Sequence, residues 1–521
     1  MMISSEYDVI IIGGGITGVG TARDCAMRGL STLLVERYDL TNGATGRNHG
    51  LLHSGARYAV TDMASAVECV EENRILKRIA PNCVEDTGGL FISLPEDDPA
   101  YRSRLLACCL KVGMDAREID PAEALKMDPC LNPDLTGAIV VPDAAVDPFQ
   151  LATANALDAS LSGAEILTYH KVESLVLENG NVCGVVVVDT RSGEKKQYRA
   201  LVTVNAGGIW GHNIAAMAGI EVPMLPSKGS LLIFGHRVNR MAVNRCRKPS
   251  NADILVPGGV VSVLGTTSSK ISISECDDIR VTPDEVDLLL REGCSLVPSL
   301  ARTRVLRAYA GVRPLVSSDD DPTGRTASRG IVLMDHKTRD GVDGFVTITG
   351  GKLTTYRKMA EVTTDLICSK LGVWRRCRTA VTPLPGSGKE HAHMEDALSK
   401  KAAWGRHGTR AAKMDFNQKS EVLCECEHVT SAEIAYAVKY LGVRNLVDLR
   451  RRTRVGMGTC QGTSCTGKVA AALAEELGCP QKAHELLAQY LQERWQGMAP
   501  VCWGEALRVA EYMRRKYSDE I

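Results

Sequence analysis

Two close cysteine pairs, Cys424-x-Cys426 and Cys460-x4-Cys465, carry the sharpest chemical signal in the C-terminal third. Four thiolates from two such pairs suit a 2Fe-2S cluster. Zinc is the main alternative, but Cys-x-Cys is tighter than the usual structural-zinc spacing of about two to four intervening residues. Thr430-Ser431-Ala432-Glu433 reads as a capping box, with Val429 and Ile434 as its hydrophobic staple, so a helix begins just beyond the first pair. Further helices are predicted over about Asn445–Arg452 and Gly467–Leu477. Both pairs then sit on loops at helix ends, where they can converge. The run Arg450-Arg451-Arg452-Thr453-Arg454 offers a counter-charge to the cluster, a dock for an acidic partner, or simply a solvated helix face.

A second set of residues opens the chain. Tyr7–Ile12 reads as a buried strand, Thr17–Gly29 as a helix and Ser31–Glu36 as another buried strand. Between the first two stands Gly13-x-Gly15-x-x-Gly18. In a βαβ unit, Gly13 permits the turn, Gly15 admits a pyrophosphate, and Gly18 lets helix and strand close together. The helix start, including Thr17, offers N–H groups to phosphate, and Glu36 can accept ribose hydroxyls. The motif alone does not separate FAD from NAD.

The elements that must position these residues follow from the rest of the chain. A length of 521 residues suggests roughly three domains. Lys+Arg and Asp+Glu each number 62 and aromatics are 4%, which disfavours a nucleic-acid partner. No basic region with an apolar core and cleavage site is visible, and no run of about eighteen apolar residues occurs, so neither an export signal nor a membrane span is expected. The 18 cysteines are then expected to be mostly reduced and buried, Cys108 and Cys109 among them.

After Glu36 and Arg37, the small-residue loop around Thr45 can fold against a flat cofactor. His49 and His53 stand four apart, but Gly46, Gly50 and Gly55 argue against a helix that would aim both at a metal. Met63–Ala80 and Asp147–Leu161 read as helices, the second with Asp147 as N-cap and Pro148 at the first position. A β-meander over about 172–204 leads to Asn205-Ala206-Gly207-Gly208, a second contact with the cofactor. About 223–320 reads as mostly β, with one helix from Pro283 capped by Thr282. Buried strands Ile331–Met334 and Phe345–Ile348 precede Gly350-Gly351-Lys352, where a helix running to about Gly372 is expected to aim its N-terminus at the cofactor's reactive end.

Residues Ile12–Gly29 and Gly350–Ala360 resemble the two long signatures of the FAD-dependent glycerol-3-phosphate dehydrogenases. Leu52–Tyr58 and Gly311–Pro314 stand where that family has them. The cysteine region is similar to bacterioferritin-associated ferredoxin. Together these resemble the cluster-bearing large subunit of the family's multi-subunit anaerobic members, over nearly the whole chain.

The resemblance implies an α/β architecture: a Rossmann-type FAD-binding domain (about 1–60, 148–222 and 325–375) interleaved with an α+β substrate cap (about 82–147 and 223–324). A linker over about 376–420, a small helical 2Fe-2S domain over about 421–475 and a helical tail to 521 follow. It implies oxidation of sn-glycerol 3-phosphate to dihydroxyacetone phosphate, with Arg57, Tyr58, Arg313 and Lys352 at the substrate. It also implies two partners, a second soluble catalytic subunit plus a membrane-attached iron–sulfur subunit, with onward transfer to quinone, then fumarate or nitrate. The chain is expected on the cytoplasmic side of the bacterial inner membrane, attached through its partners. Arg313 polarises the developing carbonyl, Lys352 supports the reduced flavin, and His53 is the candidate base. Single-subunit relatives often have His after Lys-Gly-Ser; here Leu231 follows Lys228-Gly229-Ser230, so that role does not transfer. The alternatives are an amine or amino-acid oxidase of the same broad fold, and an electron-transfer subunit with a dead substrate site.

Overall fold

The computed structural model describes residues 6–316, 330–387, 421–502 and 504–518. Strand β1 (Glu6–Ile12), helix α1 (Ile16–Met27) and strand β2 (Thr32–Glu36) form the opening βαβ unit. β1 lies between β2 and the strand Lys195–Asn205, parallel to both. Its apolar run follows from cover on both faces. Val9 and Ile11 pack toward one core with α1, while Ile10 and Ile12 join a second core beneath the meander. Truncating Ile11 to Ala would cost about 2–5 kcal/mol.

Lys195–Asn205 spans 11 residues, long enough to serve two partners on the edge away from β1. Its first half closes the antiparallel meander His170–Glu178/Asn181–Asp189, and Thr203–Asn205 pair in parallel with Phe345–Thr347. Among the described residues the strand Ile331–Asp335 pairs only with Phe345–Gly350, on the sheet's margin. It is half-buried rather than buried as the sequence suggests.

A second sheet of nine strands is built around Met224–Phe234, which runs antiparallel to Val305–Val316 along nearly its whole length. Strands from residues 89–141 complete it, so the chain visits this sheet twice. Helix Pro283–Leu296 packs beneath, started by a reciprocal Thr282–Glu285 capping box.

Residues 422–502 form a third, mostly helical body. Ser431–Tyr440, Leu446–Thr453 and Thr466–Glu476 share a core of Ile434, Leu449, Val469 and Leu473. Helix Ala483–Met498 packs on that core through Leu486 and Tyr490, and its C-terminal end lies on strand Val305–Val316, with Gly497 against Arg307 and Ala308. The C-terminal segment is therefore a strut between two bodies as well as a tail.

The expected linker begins as part of the first body. Arg23 donates to the Thr382 carbonyl at 2.9 Å, Arg357 to Thr379 Oγ1 at 3.3 Å, and Leu384 N–H to the Ile79 carbonyl at 2.8 Å. Buried guanidinium groups need acceptors, and these residues supply them. The remainder of the expected linker, 388–420, lies outside the described residues. Among the described residues no helix is long and apolar enough to cross a membrane.

Candidate active site and iron–sulfur centre

One cavity of about 990 Å³ opens at the C-terminal ends of β1 and β2 and runs to the second sheet. At its inner end Gly13 adopts φ +116°, and a Cβ there would lie 2.5 Å from the Ala206 carbonyl oxygen. A Cβ on Gly18 would lie 1.9 Å from the Gly13 oxygen, so α1 can approach β1 only without one. Gly15, the N-cap of α1, brings no capping side chain, which leaves first-turn N–H groups for an anion. Thr45 Oγ1 accepts the Ile16 N–H at 3.0 Å and pins the next loop over this turn.

Glu36 accepts from Gly14 N–H at 2.7 Å and from Tyr38 N–H at 2.9 Å. Burial raises its pKa, opposed by those two N–H groups. Its carboxylate is thereby fixed at the cavity wall. Arg37 lies over the Trp210 ring (4.3 Å) and pairs with Asp277 (2.6 Å), making a flat wall at this end.

The opposite end gathers side chains from three distant segments. Arg57 is anchored by Asp253 (2.7 Å), while its buried Nη1 has no hydrogen-bond partner among the described residues. Arg313 donates through Nη1 to Ser227 Oγ (3.2 Å) and the Lys228 carbonyl (3.3 Å), and through Nη2 to Thr266 and the Thr267 carbonyl (3.1 Å). Lys352 lies over the Tyr58 ring at 5.0 Å, with Glu68 3.8 Å from its ammonium. His53 contacts both the Tyr58 ring (5.4 Å) and the His49 ring (5.8 Å).

The cavity wall includes Gly13, Gly15 and Thr17 of the opening turn, and Ala206 and Gly207 of the second. It includes Gly350 and Gly351 as well, but none of the helix beyond them, which starts only at Tyr356. Thr355 Oγ1 accepts the Lys352 N–H at 3.0 Å, so a turn intervenes and the glycine loop, not the helix end, faces the cavity. Gly18 lies behind the wall. Asn205 does too: its side chain donates to the Gly211 carbonyl and Thr347 and accepts from Gly207 N–H, so it shapes the turn from behind.

His49 also faces the cavity, a role its spacing to His53 disguised as a question of metal binding. Its Nδ1 accepts the Leu51 N–H at 3.2 Å. Burial, with Arg313 and Arg57 nearby, pushes its pKa down to about 3. It is a neutral ring whose Nε2 carries the proton. Trp210 is a further wall residue that its neighbours in sequence did not advertise.

In the third body the four cysteine thiols contact one another in series: Cys424 with Cys465, Cys465 with Cys460, and Cys460 with Cys426. Backbone N–H groups of Gly456 and Glu427 point at Cys424, and those of Gly462 and Ser464 at Cys460. Contact with Cys465 first, and then these N–H groups, holds the Cys460 pKa below the usual thiol range. Among the described residues no three or more His, Cys, Asp or Glu side chains are placed to hold a single metal ion. A chain of four thiols with inward N–H donors is a set of ligands suited to thiolate ligation of a metal centre such as a dinuclear cluster.

The arginine run points inward. Arg452 pairs with Asp39, Arg451 with Asp39 (3.2 Å) and Asn42 (2.7 Å), and Arg450 with Glu493 (2.7 Å). Arg454 joins Asp147 and Glu427. It is neither a solvated face nor an exposed dock; it clamps the cysteine body onto the first sheet, because Asp39 presents a buried carboxylate and Asp147 a half-buried one there.

Fold and site define a class: a flavin-dependent oxidoreductase that carries its own iron–sulfur body. The FAD dependent oxidoreductase family profile matches residues 8–357, and the BFD-like [2Fe-2S] binding domain profile matches 422–475. The chain is 54% identical to the A subunit of the anaerobic glycerol-3-phosphate dehydrogenase of Haemophilus influenzae, over 99% of this chain and 93% of that one. It is 55% identical to the protein of the same name from Escherichia coli K12, over 99% and 96%. A crystal structure of the glycerol-3-phosphate dehydrogenase of Bacillus halodurans complexed with FAD shares the fold, with a TM-score of 0.71, 24% identity and coverage of 96% and 97%. The chain belongs to the family formed by the A subunits of anaerobic glycerol-3-phosphate dehydrogenases. Its cofactors are FAD and a 2Fe-2S cluster.

Proposed function

We propose that the chain oxidises sn-glycerol 3-phosphate to dihydroxyacetone phosphate. The glycine turns and Glu36 would hold FAD, which supplies the redox chemistry when bound, and Cys424, Cys426, Cys460 and Cys465 would hold the cluster. Electrons leave through the cluster to a second soluble subunit, then through a membrane-attached iron–sulfur subunit to quinone, in anaerobic respiration with fumarate or nitrate. The chain then works at the cytoplasmic face of the bacterial inner membrane, held there by its partners. The observation that carries the reading is the convergence of Arg57, Arg313 and Lys352 on the cavity that also receives the Gly13–Gly18 turn. Similarity along nearly the whole chain to two relatives of that name supports it.

The substrate brings a phosphate of nearly two negative charges. Arg57, whose Nη1 is buried and unpartnered among the described residues, supplies a charge-assisted donor already oriented by Asp253. Arg313 is preorganised by its bonds to the Ser227–Lys228 and Thr266–Thr267 segments and holds positive charge where the C2 oxygen becomes a carbonyl. Lys352, packed on Tyr58, adds a third positive centre. The FAD supplies the hydride acceptor. The hydroxyl proton needs a base, and His53, which faces the cavity beside the Tyr58 ring, is the candidate.

Steady-state turnover with an artificial acceptor tests the substrate. Activity with glycerol 3-phosphate and little with glycerol or amino acids supports the reading; preference for an amino acid would favour the oxidase alternative. Supplying quinone with and without the partner subunits tests the electron route.

A further inference from the structure

The loop after Thr45 carries a cation that the fold leaves unpaired. Arg47 lines the large cavity, and its guanidinium has no hydrogen bond or ion pair among the described residues. Its backbone is fixed: Arg47 N–H donates to the Ala44 carbonyl, and a Cβ on Gly311 would lie 2.4 Å from the Arg47 oxygen. Tyr309 donates to the neighbouring Asn48 carbonyl at 2.7 Å. Thus strand Val305–Val316, which carries Arg313, holds this loop from below.

The surroundings make the unpaired charge costly. Burial comes first, then Arg451, Arg307 and Arg450, which all repel it; Glu493 is its attractive neighbour. Yet both oxygens of Glu493 are taken, by Arg307 at 2.6 Å and by Arg450 at 2.7 and 2.9 Å. Asp39 is taken by Arg451 and Arg452. A guanidinium held by its backbone in a basic setting calls for an anion from the cavity.

We infer that Arg47 is the counter-ion of an anionic group of FAD, at the seam between the cofactor cavity and the cluster body. The inference rests on FAD occupying the cavity, and not on which substrate is oxidised. From Arg47 the same charged network leads to the cluster. Arg450 pairs with Glu493 and lies over Tyr490 at 5.8 Å. The Tyr490 hydroxyl lies close to Gly456 and Gly462, whose N–H groups face Cys424 and Cys460. Two groups of FAD share the required chemistry, the pyrophosphate and the reduced, anionic flavin ring.

The test titrates FAD into the deflavinated full-length chain and follows flavin fluorescence. Midpoint potentials of the flavin in the reconstituted chain are then measured by spectroelectrochemistry. The variants are Arg47→Met and Arg47→Lys, and an unchanged cluster absorbance shows that each remains folded. Loss of a charge-assisted contact predicts roughly tenfold to hundredfold weaker FAD binding for Arg47→Met, with partial recovery in Arg47→Lys. An equal loss for oxidised and reduced FAD assigns the pyrophosphate. A loss confined to reduced FAD, read as a lowered midpoint potential, assigns the ring. Unchanged affinity together with unchanged potential in Arg47→Met overturns the inference. Failure of glycerol 3-phosphate as substrate leaves both readouts intact, so the two conclusions stand or fall separately.

Discussion

Arg454 donates from Nη1 to Asp147 Oδ2 at 2.9 Å, while Asp147 Oδ1 caps helix Pro148–Leu161 through the Phe149 and Gln150 N–H groups. The same arginine reaches Glu427, next to Cys426, at 3.0 Å and the Gly258 carbonyl at 3.3 Å. One side chain therefore ties together a helix packed on the first sheet, a strand of the second sheet and the cysteine loop. Fixed docking is what a one-electron hop between two centres requires.

Replacing Arg454 with Met leaves Asp147 and the buried Glu427 without their shared partner. The expected cost is about 3 kcal/mol, concentrated in the cysteine body. Thermal melting followed by cluster absorbance should shift down, while flavin release occurs near its original temperature. Stopped-flow kinetics should show substrate bleaching the flavin as before, with slower reduction of the cluster.

Arg313→Ala removes charge at the developing carbonyl. The predicted loss is about 3 kcal/mol of transition-state stabilisation, or a fall in kcat/KM of roughly a hundredfold or more. Bound FAD should be retained, since Arg313 lies at the far end of the cavity from the Gly13–Gly18 turn. Unchanged turnover would remove Arg313 from the site.

His49 gives a pH signature. Folded, it takes a proton only near pH 3; an unfolded chain takes one near the ordinary value of 6.5. Between those values the unfolded state binds more protons, so stability rises with pH across the window and is lost as pH falls through it. His49 is half-buried at the cavity wall, and its share between pH 7 and 5 is on the order of 1–2 kcal/mol. Urea unfolding of His49→Gln should show that much less pH dependence than the parent chain.

Cys460→Ser should abolish the cluster's visible absorbance and its electron paramagnetic resonance signal on reduction. The flavin should still bleach with substrate, because no cysteine lines the flavin cavity among the described residues. An intact cluster in this variant would exclude Cys460 as a ligand.

The βαβ unit was legible because each residue type has a local reason: apolar runs for buried strands, glycines where Cβ atoms would collide, and an acid at the end of β2. Helix starts at Asp147, Thr282 and Thr430 were legible for the same reason, since capping is local chemistry. The arginine run was not. Whether Arg451 and Arg452 meet water or Asp39, distant in sequence, depends on tertiary docking. Asn205 failed in the opposite sense: its place beside a glycine turn suggested a cofactor contact, but its amide is used up in holding that turn. Arg47 was invisible because its unpaired state emerges only once Glu493 and Asp39 are seen to be fully engaged.

The most direct measurement is an anaerobic absorbance titration of the purified chain with glycerol 3-phosphate, following flavin and cluster bands together. The account predicts loss of the flavin band, followed by cluster reduction within the same chain. A chain that visibly holds flavin yet shows no bleaching would contradict it, and would point to another substrate or to an inactive site.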